Sequence, residues 1–304
     1  MKKILCKAQL KKEHGGMSLL AFLRLQCKDI SLRSLKLAID TKLCTVNGII
    51  ESFSTHPLRI GDVVILYQTQ TFHPKHLEIL YQDEYLLICN KPAMLTSDMK
   101  VLQPLLEDRW LLGHRLDKET SGALIFVKNT SILQKLIALF KEHFVEKFYL
   151  ALVDRQVLQK EGKIDSSIAK LKCYQGQSLY GVATTPDAKR AVTRWRCLKH
   201  HKSASLLLCQ PMTGRTHQIR VHLSYLGHPI LGDTLYAKHF FCKISPMRHL
   251  LHAYILRFPH PISRQRITAK AKIPEDFKGC LKELKMTHAI EFFGKSKYEQ
   301  TEDN

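Results

Sequence analysis

The stretch from His114 to Phe126, His-Arg-Leu-Asp-Lys-Glu-Thr-Ser-Gly-Ala-Leu-Ile-Phe, constrains the fold more than any other part of the chain. It sets Asp117 beside Arg115 in a polar turn, and the turn runs into an apolar strand over 123–128. A strand of that composition is buried in a sheet, so the turn presents a single carboxylate at the edge of a core.

The neighbouring segments extend the pattern. Leu77 to Asn90 reads as two strands around Gln82-Asp83-Glu84, Ile132 to His143 as a helix, and Phe148 to Val153 as a strand. Ala188 to Lys199 and Ser203 to Gln210 read as paired strands. Ile219, Leu223 and Leu226 form a helical stripe with Gly227 ending it and Pro229 beyond, and Arg220 and His217 lie off that stripe. Helices covering one side of a largely antiparallel sheet make this part α+β.

The first residues are organised differently. Ser18 opens a helical segment with Leu20, Leu23 and Cys27 on one face. Ser31 caps a second, with Leu32, Leu35 and Ile39 in its stripe and Arg33 and Lys36 away from it. Val46-Asn47-Gly48-Ile49 is a hairpin signal, and Leu58 to Leu66 supplies a turn and a closing strand. The expected division is a small α/β domain over 1–67, a linker over 68–78, a larger domain over 79–292 and a disordered tail over 293–304.

Charge narrows the partners. Lys and Arg number 47 against 27 Asp and Glu, a formal net charge of +20. That excess favours a polyanion, because released counterions drive binding to phosphates. Nine cysteines with no C-x-x-C pair argue against a disulfide framework and a zinc ribbon. Met1 to Leu10 is basic but lacks the apolar core of a signal peptide, and no stretch approaches a membrane span. A soluble, cytoplasmic monomer is expected, with no membrane partner. Sixteen histidines raise the question of a metal, but His217, His222 and His228 are spaced by five and six, not the four of a helical zinc pair. His73 and His76 have no acidic ligands nearby. No metal is expected.

The motifs identify a family. His114 to Phe126 closely resembles the signature of the RluA-type pseudouridine synthases, which isomerise uridine within RNA. Lys147 to Val153 resembles that family's lysine-x-tyrosine strand. Pro211 to Leu223, running on through Leu226 to Asp233 and Arg248 to Ala253, resembles its third motif. Asn90 to Leu95 resembles its Asn-Lys-Pro segment, with Met94 where the family usually has glycine. The resemblance covers roughly Leu80 to Glu283. The first domain resembles the alpha-L RNA-binding motif of a small-subunit ribosomal protein through Ser31, Arg33, Lys36, Lys42, Val46-Asn47-Gly48 and Gly61-Asp62, with Met17-Ser18-Leu19 in place of the usual Arg-Leu-Asp.

The resemblance implies an RNA pseudouridine synthase that needs no cofactor, because the reaction carries no net redox change, hydrolysis or group transfer. Asp117 is the implied nucleophile or base, Arg220 its cationic partner, and Tyr149 the residue that stacks on the target base and serves as acid or base at carbon five. Arg115 is implied to fill the space left by a flipped nucleotide, or else to be a second partner for Asp117. Arg33, Lys36 and Lys42 are implied RNA contacts. Ribosomal RNA of the large subunit is the expected substrate. A tRNA-directed synthase, a non-catalytic RNA-binding or ribosome-assembly protein and a metal hydrolase on RNA are the competing readings.

Overall fold

The computed structural model describes residues 4–40, 42–67, 74, 76–174 and 177–287, and the backbone alone at Tyr174 and Gln177. The expected linker lies largely outside these residues, and the expected tail wholly so. The chain divides into two compact units, Met1–His73 and Pro74–Asn304.

The first unit is a four-stranded antiparallel sheet, β1 (Ile4–Gln9), β2 (Cys44–Val46), β3 (Ile49–Glu51) and β4 (Val63–Tyr67), in the order β1-β4-β2-β3. Helices α1 (Leu19–Gln26) and α2 (Leu32–Asp40) contribute Leu19, Phe22, Leu23, Leu35 and Ile39 to its core. Ser18 caps α1 through the Ala21 N–H, and Ser31 accepts from the Ser34 N–H. Asn47 and Gly48, both with positive φ, turn β2 into β3. The Asn47 side chain then accepts from the Val63 N–H and donates to Asp62, tying the hairpin to β4.

One expectation for this unit needs correction. Leu32 is 46% exposed, and Ala38 takes the buried position beside Leu35 and Ile39. Leu32 is the first residue of α2, where a side chain can keep the helical period and still lie outside the core. Lys42 is only 6% exposed and holds a left-handed φ of 61°, so it does not share the open face of Arg33 and Lys36.

The second unit is built on one eleven-stranded sheet. In chain order its elements are β5 (Glu78–Gln82), β6 (Leu86–Lys91), α3 (Met99–Leu102), β7 (Leu111–Leu112), β8 (Ser121–Val127), α4 (Thr130–Lys141), β9 (Glu146–Asp154), β10 (Glu161–Tyr174), β11 (Gln177–Val182), β12 (Lys189–His201), β13 (Ala204–Pro211), α5 (Gln218–Tyr225), β14 (Leu251–Pro259), β15 (Arg266–Lys270) and α6 (Glu275–Glu283). The main path runs β11-β10-β12-β13-β9-β14-β8-β6-β5, with β15 beside β14 and β7 beside β8. Every pairing is antiparallel except β14 with β8.

Strand β8 is buried along its whole length, as its uninterrupted apolar run requires. Alternate residues serve two cores. Ile125 and Val127 join Leu86 and Ile88 against Ile132, Leu136 and Leu139 of α4. Leu124 and Phe126 join Leu87 and Cys89 against Leu102, Trp110 and Leu116. Both faces of this half of the sheet are therefore covered: α4 covers one, and the segment from α3 to Leu116 covers the other. A third core joins β9, β13 and β14 to Ile219 and Leu223 of α5 and Phe277 and Leu281 of α6. Among the described residues no helix is long and apolar enough to cross a membrane.

Candidate active site

Asp117 sits in the turn that feeds β8, and that turn is clamped from several sides. Its own carbonyl accepts from the Thr120 N–H at 3.1 Å. The buried Ser97 hydroxyl donates to the Leu116 carbonyl at 2.8 Å and accepts from the Leu116 N–H at 3.1 Å. The Lys91 ammonium, fully buried at the end of β6, donates to the carbonyls of Pro92, Leu95 and Lys118. Burial, and then the nearby Arg248 charge, lower the Lys91 pKa to about 7 against the pull of Asp117. Arg248, 2% exposed, grips Asp276 at 2.6 and 3.1 Å and donates to the Glu119 carbonyl at 3.0 Å. Thr120 pairs with His249 at 2.8 Å. Met94, in the loop that Lys91 holds, has a φ of 67°. That left-handed position suits glycine and costs a methionine about 1 kcal/mol or more, which accounts for the usual residue there in the resembling family.

The opposite wall is α5. Its entry is fixed by Gln218, whose side chain uses all its hydrogen-bonding capacity. Its oxygen accepts from the Thr213 hydroxyl and the Arg215 N–H, and its nitrogen donates to the Val192 carbonyl and Thr193 Oγ1. His222 then pairs with Thr193 at 2.9 Å one turn later. Docked this way on β12, α5 carries Arg220 inward to 7% exposure, although the pattern put it off the apolar stripe. Other elements cover that side of the helix.

Arg220 joins two carboxylates 116 residues apart in the chain. Its Nη1 donates to Asp117 Oδ2 at 3.0 Å. Its Nε and Nη2 donate to Asp233 Oδ2 and Oδ1 at 2.7 and 2.9 Å. Asp233 is 1% exposed and Asp117 27%, so the first is a buried anchor and the second faces an opening. Burial alone would raise the Asp117 carboxyl. The charge of Arg220, with smaller help from His217 and His249, outweighs it and holds the group below the usual carboxylate range. Asp233 behaves alike, with burial opposed by Arg220.

Tyr149 stands half-buried on β9, packed against two of the cores. Burial, and then the charge on Asp117, push its phenol well above the ordinary value, so the hydroxyl keeps its proton. Arg115 is exposed two residues before Asp117. Arg33 and Lys36 are exposed on α2 in the first unit.

Of the residues singled out from the sequence, Asp117 and Arg220 are in contact, Tyr149 lies close enough to feel the Asp117 charge, and Arg115 stands two residues before Asp117 in the chain. Sequence reasoning gave no role to Asp233, His217, Gln218, Lys91 or Arg248. All lie inside the motif segments, and that position is the signal that could have marked them. Such an arrangement can hold one ionised carboxylate against a fixed cation and offer a neutral phenol, with an exposed guanidinium nearby in the chain. Among the described residues no group of three or more His, Cys, Asp or Glu side chains is arranged to hold a metal ion.

Several known proteins are similar to this chain. A family model described as RNA pseudouridylate synthase matches residues 73–225. Ribosomal large subunit pseudouridine synthase D of Zymomonas mobilis is 33% identical over 237 residues, covering 70% of this chain and 74% of that protein. Ribosomal large subunit pseudouridine synthase C of Escherichia coli K12 is 34% identical over 226 residues, covering 68% and 70%. The solved structure of human RNA pseudouridylate synthase domain containing 4 matches with a TM-score of 0.58 at 27% identity, covering 68% of this chain and 93% of that one.

Proposed function

This chain belongs to the RNA pseudouridylate synthase family, and from that premise we propose that it isomerises uridines of large-subunit ribosomal RNA with Asp117 as the reacting carboxylate. The observation that carries the assignment is the Asp233–Arg220–Asp117 chain, in which only the last carboxylate opens outward. The substrate is the one named for the two bacterial relatives.

The reaction breaks the bond from uracil N1 to the ribose, turns the base, and rejoins it through carbon five. Asp117 acts either at the anomeric carbon as a nucleophile or on the sugar as a base. Both roles need the carboxylate ionised, and Arg220 supplies that condition. Arg220 is itself held by Asp233, so it keeps its geometry while the sugar is near. Tyr149 offers a ring for the base to stack on. Its protonated hydroxyl suits hydrogen bonding to the turning base, and accepting the carbon-five proton would require it first to lose its own.

Arg115 enters the space vacated by the target nucleotide, because a base inside RNA structure must leave its stack before its sugar is reached. That costs a few kcal/mol, which the stacked guanidinium partly offsets. Arg33 and Lys36 add phosphate contacts from the first unit. The reading includes a cytoplasmic location, supported by nine cysteines that are all free.

The test is pseudouridine mapping of total RNA from cells with and without the protein, with Asp117→Asn as complement. Loss of one or a few large-subunit positions, restored by wild type and not by Asp117→Asn, is expected. Loss confined to transfer RNA would move the substrate, and no change anywhere would overturn the reading.

A further inference from the structure

We infer that His217 is a positioning residue for Asp117: Tyr236 donates its phenol proton to Nδ1 of His217, which leaves the ring proton on Nε2, turned toward the Asp117 carboxylate. The inference rests on the assignment of Asp117 as the reacting group.

His217 is the residue before α5, with a left-handed φ of 55°. A residue other than glycine is costly there, by about 1 kcal/mol or more, and the conformation persists because the ring is held on several sides. Tyr180 and Tyr236 meet it edge to face, with centroids at 5.6 and 5.7 Å. Thr213 and Gln218 fix the backbone on either side.

Both ring nitrogens have partners, and the partners decide where the proton lies. Nδ1 is 2.8 Å from the Tyr236 hydroxyl oxygen. That oxygen already accepts from the Tyr180 N–H at 3.3 Å, so its own proton is directed to Nδ1. A neutral imidazole has one N–H, and with Nδ1 accepting it must be on Nε2. Nε2 lies 3.8 Å from Asp117 Oδ2, the oxygen that Arg220 also holds. A carboxylate at that side favours the same proton placement. The separation is longer than a hydrogen bond, so the N–H acts on the resting carboxylate as an oriented dipole, and a small ring rotation closes it to a donor.

Neutrality matters to the arrangement. Burial, and then Arg220, lower the His217 pKa to about 4, so at neutral pH the ring adds no second cation. The groups facing Asp117 are then Arg220 from α5, His217 before it, His249 before β14, Lys91 from β6 and Tyr149 from β9, with Asp233 and Glu119 behind the cations. With the proton on Nδ1 instead, the Nε2 lone pair would face the carboxylate and repel it. Tyr236 prevents that. Its ring also lies under the Arg220 guanidinium, 5.0 Å from the centroid, and a phenylalanine keeps that stacking while removing the proton donor.

The experiment uses full-length protein and an unmodified transcript of large-subunit ribosomal RNA. Single-turnover rates across roughly pH 3 to 9, RNA affinity and thermal unfolding are measured for wild type, Tyr236→Phe, His217→Leu, His217→Gln and Asp117→Asn. Tyr236→Phe is expected to slow the chemical step about tenfold and to move the acid limb of the rate profile to higher pH, because the ionised carboxylate loses an oriented donor. RNA affinity is expected to stay within about threefold. His217→Leu should be slower still, and His217→Gln, whose amide N–H reaches toward the Nε2 position, should recover most of that loss. Nitrogen NMR of the wild-type histidines should place the His217 proton on Nε2.

An unchanged rate and acid limb in Tyr236→Phe overturn the inference. A slower rate with an unmoved acid limb, or a loss in RNA affinity alone, also overturns it by leaving only a packing role. A proton on Nδ1 overturns it independently of activity, including where His217→Leu does not fold. A fully active Asp117→Asn would instead sink the assignment of Asp117, and the NMR result would still decide the tautomer.

Discussion

Gly122 and Ala253 lie against each other backbone to backbone, where β8 and β14 pair in parallel. A Cβ on Gly122 would fall inside the Ala253 carbonyl, and 2.7 Å from both Ala253 N and its carbonyl carbon. Gly122 also holds a φ of 117°, which side chains rarely adopt. Glycine here lets the strand that follows Asp117 join the strand that follows the His249 loop.

Gly122→Ala should therefore cost about 3 kcal/mol or more of stability, since steric overlap and backbone strain act together. Urea unfolding measures it. A loss below about 1 kcal/mol would mean that the two strands part without consequence.

Asp233→Asn keeps the shape of the anchor but removes its charge, leaving the buried Arg220 with one carboxylate in place of two. Breaking a buried pair costs about 3 kcal/mol, and that loss is expected in chemical unfolding. The single-turnover rate should fall more than about tenfold, with RNA affinity little changed. Equal rates in the two proteins would show that Arg220 needs no support.

The depressed pKa of Asp117 has a definite sign. A carboxylate whose folded pKa lies below its unfolded one adds stability above the unfolded value, and loses it as pH falls through the folded value. Activity that requires the ionised form should follow, with the Asp117 acid limb below the ordinary carboxylate range. Arg220→Lys, which cannot fork between two carboxylates, should move that limb upward. The rate–pH profiles of the two proteins check it, and coincident limbs would remove Arg220 as the cause.

Tyr149→Phe keeps the ring and removes the hydroxyl. RNA binding should persist while the chemical step slows, by about a hundredfold if proton movement passes through this group. Tyr149→Leu should damage both. A Phe variant at full rate would leave Tyr149 as a stacking surface.

Arg33→Glu with Lys36→Glu should weaken RNA binding and flatten its salt dependence, by about one log–log unit or slightly less for each phosphate no longer neutralised. The maximal rate should hold, because neither residue belongs to the unit that contains Asp117. A fragment starting near His76 should behave the same way. Titrations at two salt concentrations decide it, and unchanged slopes would make the first unit a protein-docking module.

Elements with a strong local pattern were readable from the sequence. The apolar run after Gly122, the amphipathic stripe of α4 and the Asn47-Gly48 turn each determine local structure within a few residues. Leu32 misled because a first-turn residue can satisfy the helical period and still overhang the core. Lys42 reads as surface because it is a cation in a basic segment, whereas the residue is 6% exposed. At the site, Asp117, Tyr149 and Arg220 came from the resemblance and not from spacing. The supports were hidden for a physical reason. Asp233 to Arg220, Tyr236 to His217 and Arg248 to Asp276 are single polar pairs across folded loops, and such pairs leave no periodic trace in the chain.

The strand order also fixes when the enzyme comes into being. Strand β14 lies between β8, which follows Asp117, and β9, which carries Tyr149, yet it is made after both. While a ribosome is still short of residue 259, those two strands lack the neighbour they share and the sheet has a gap at its centre. The two sides of the opening are therefore joined only once that late strand has emerged. A chain cut short anywhere ahead of β14 is not a weaker enzyme but two unjoined halves of one, with their apolar edges bare to aggregation.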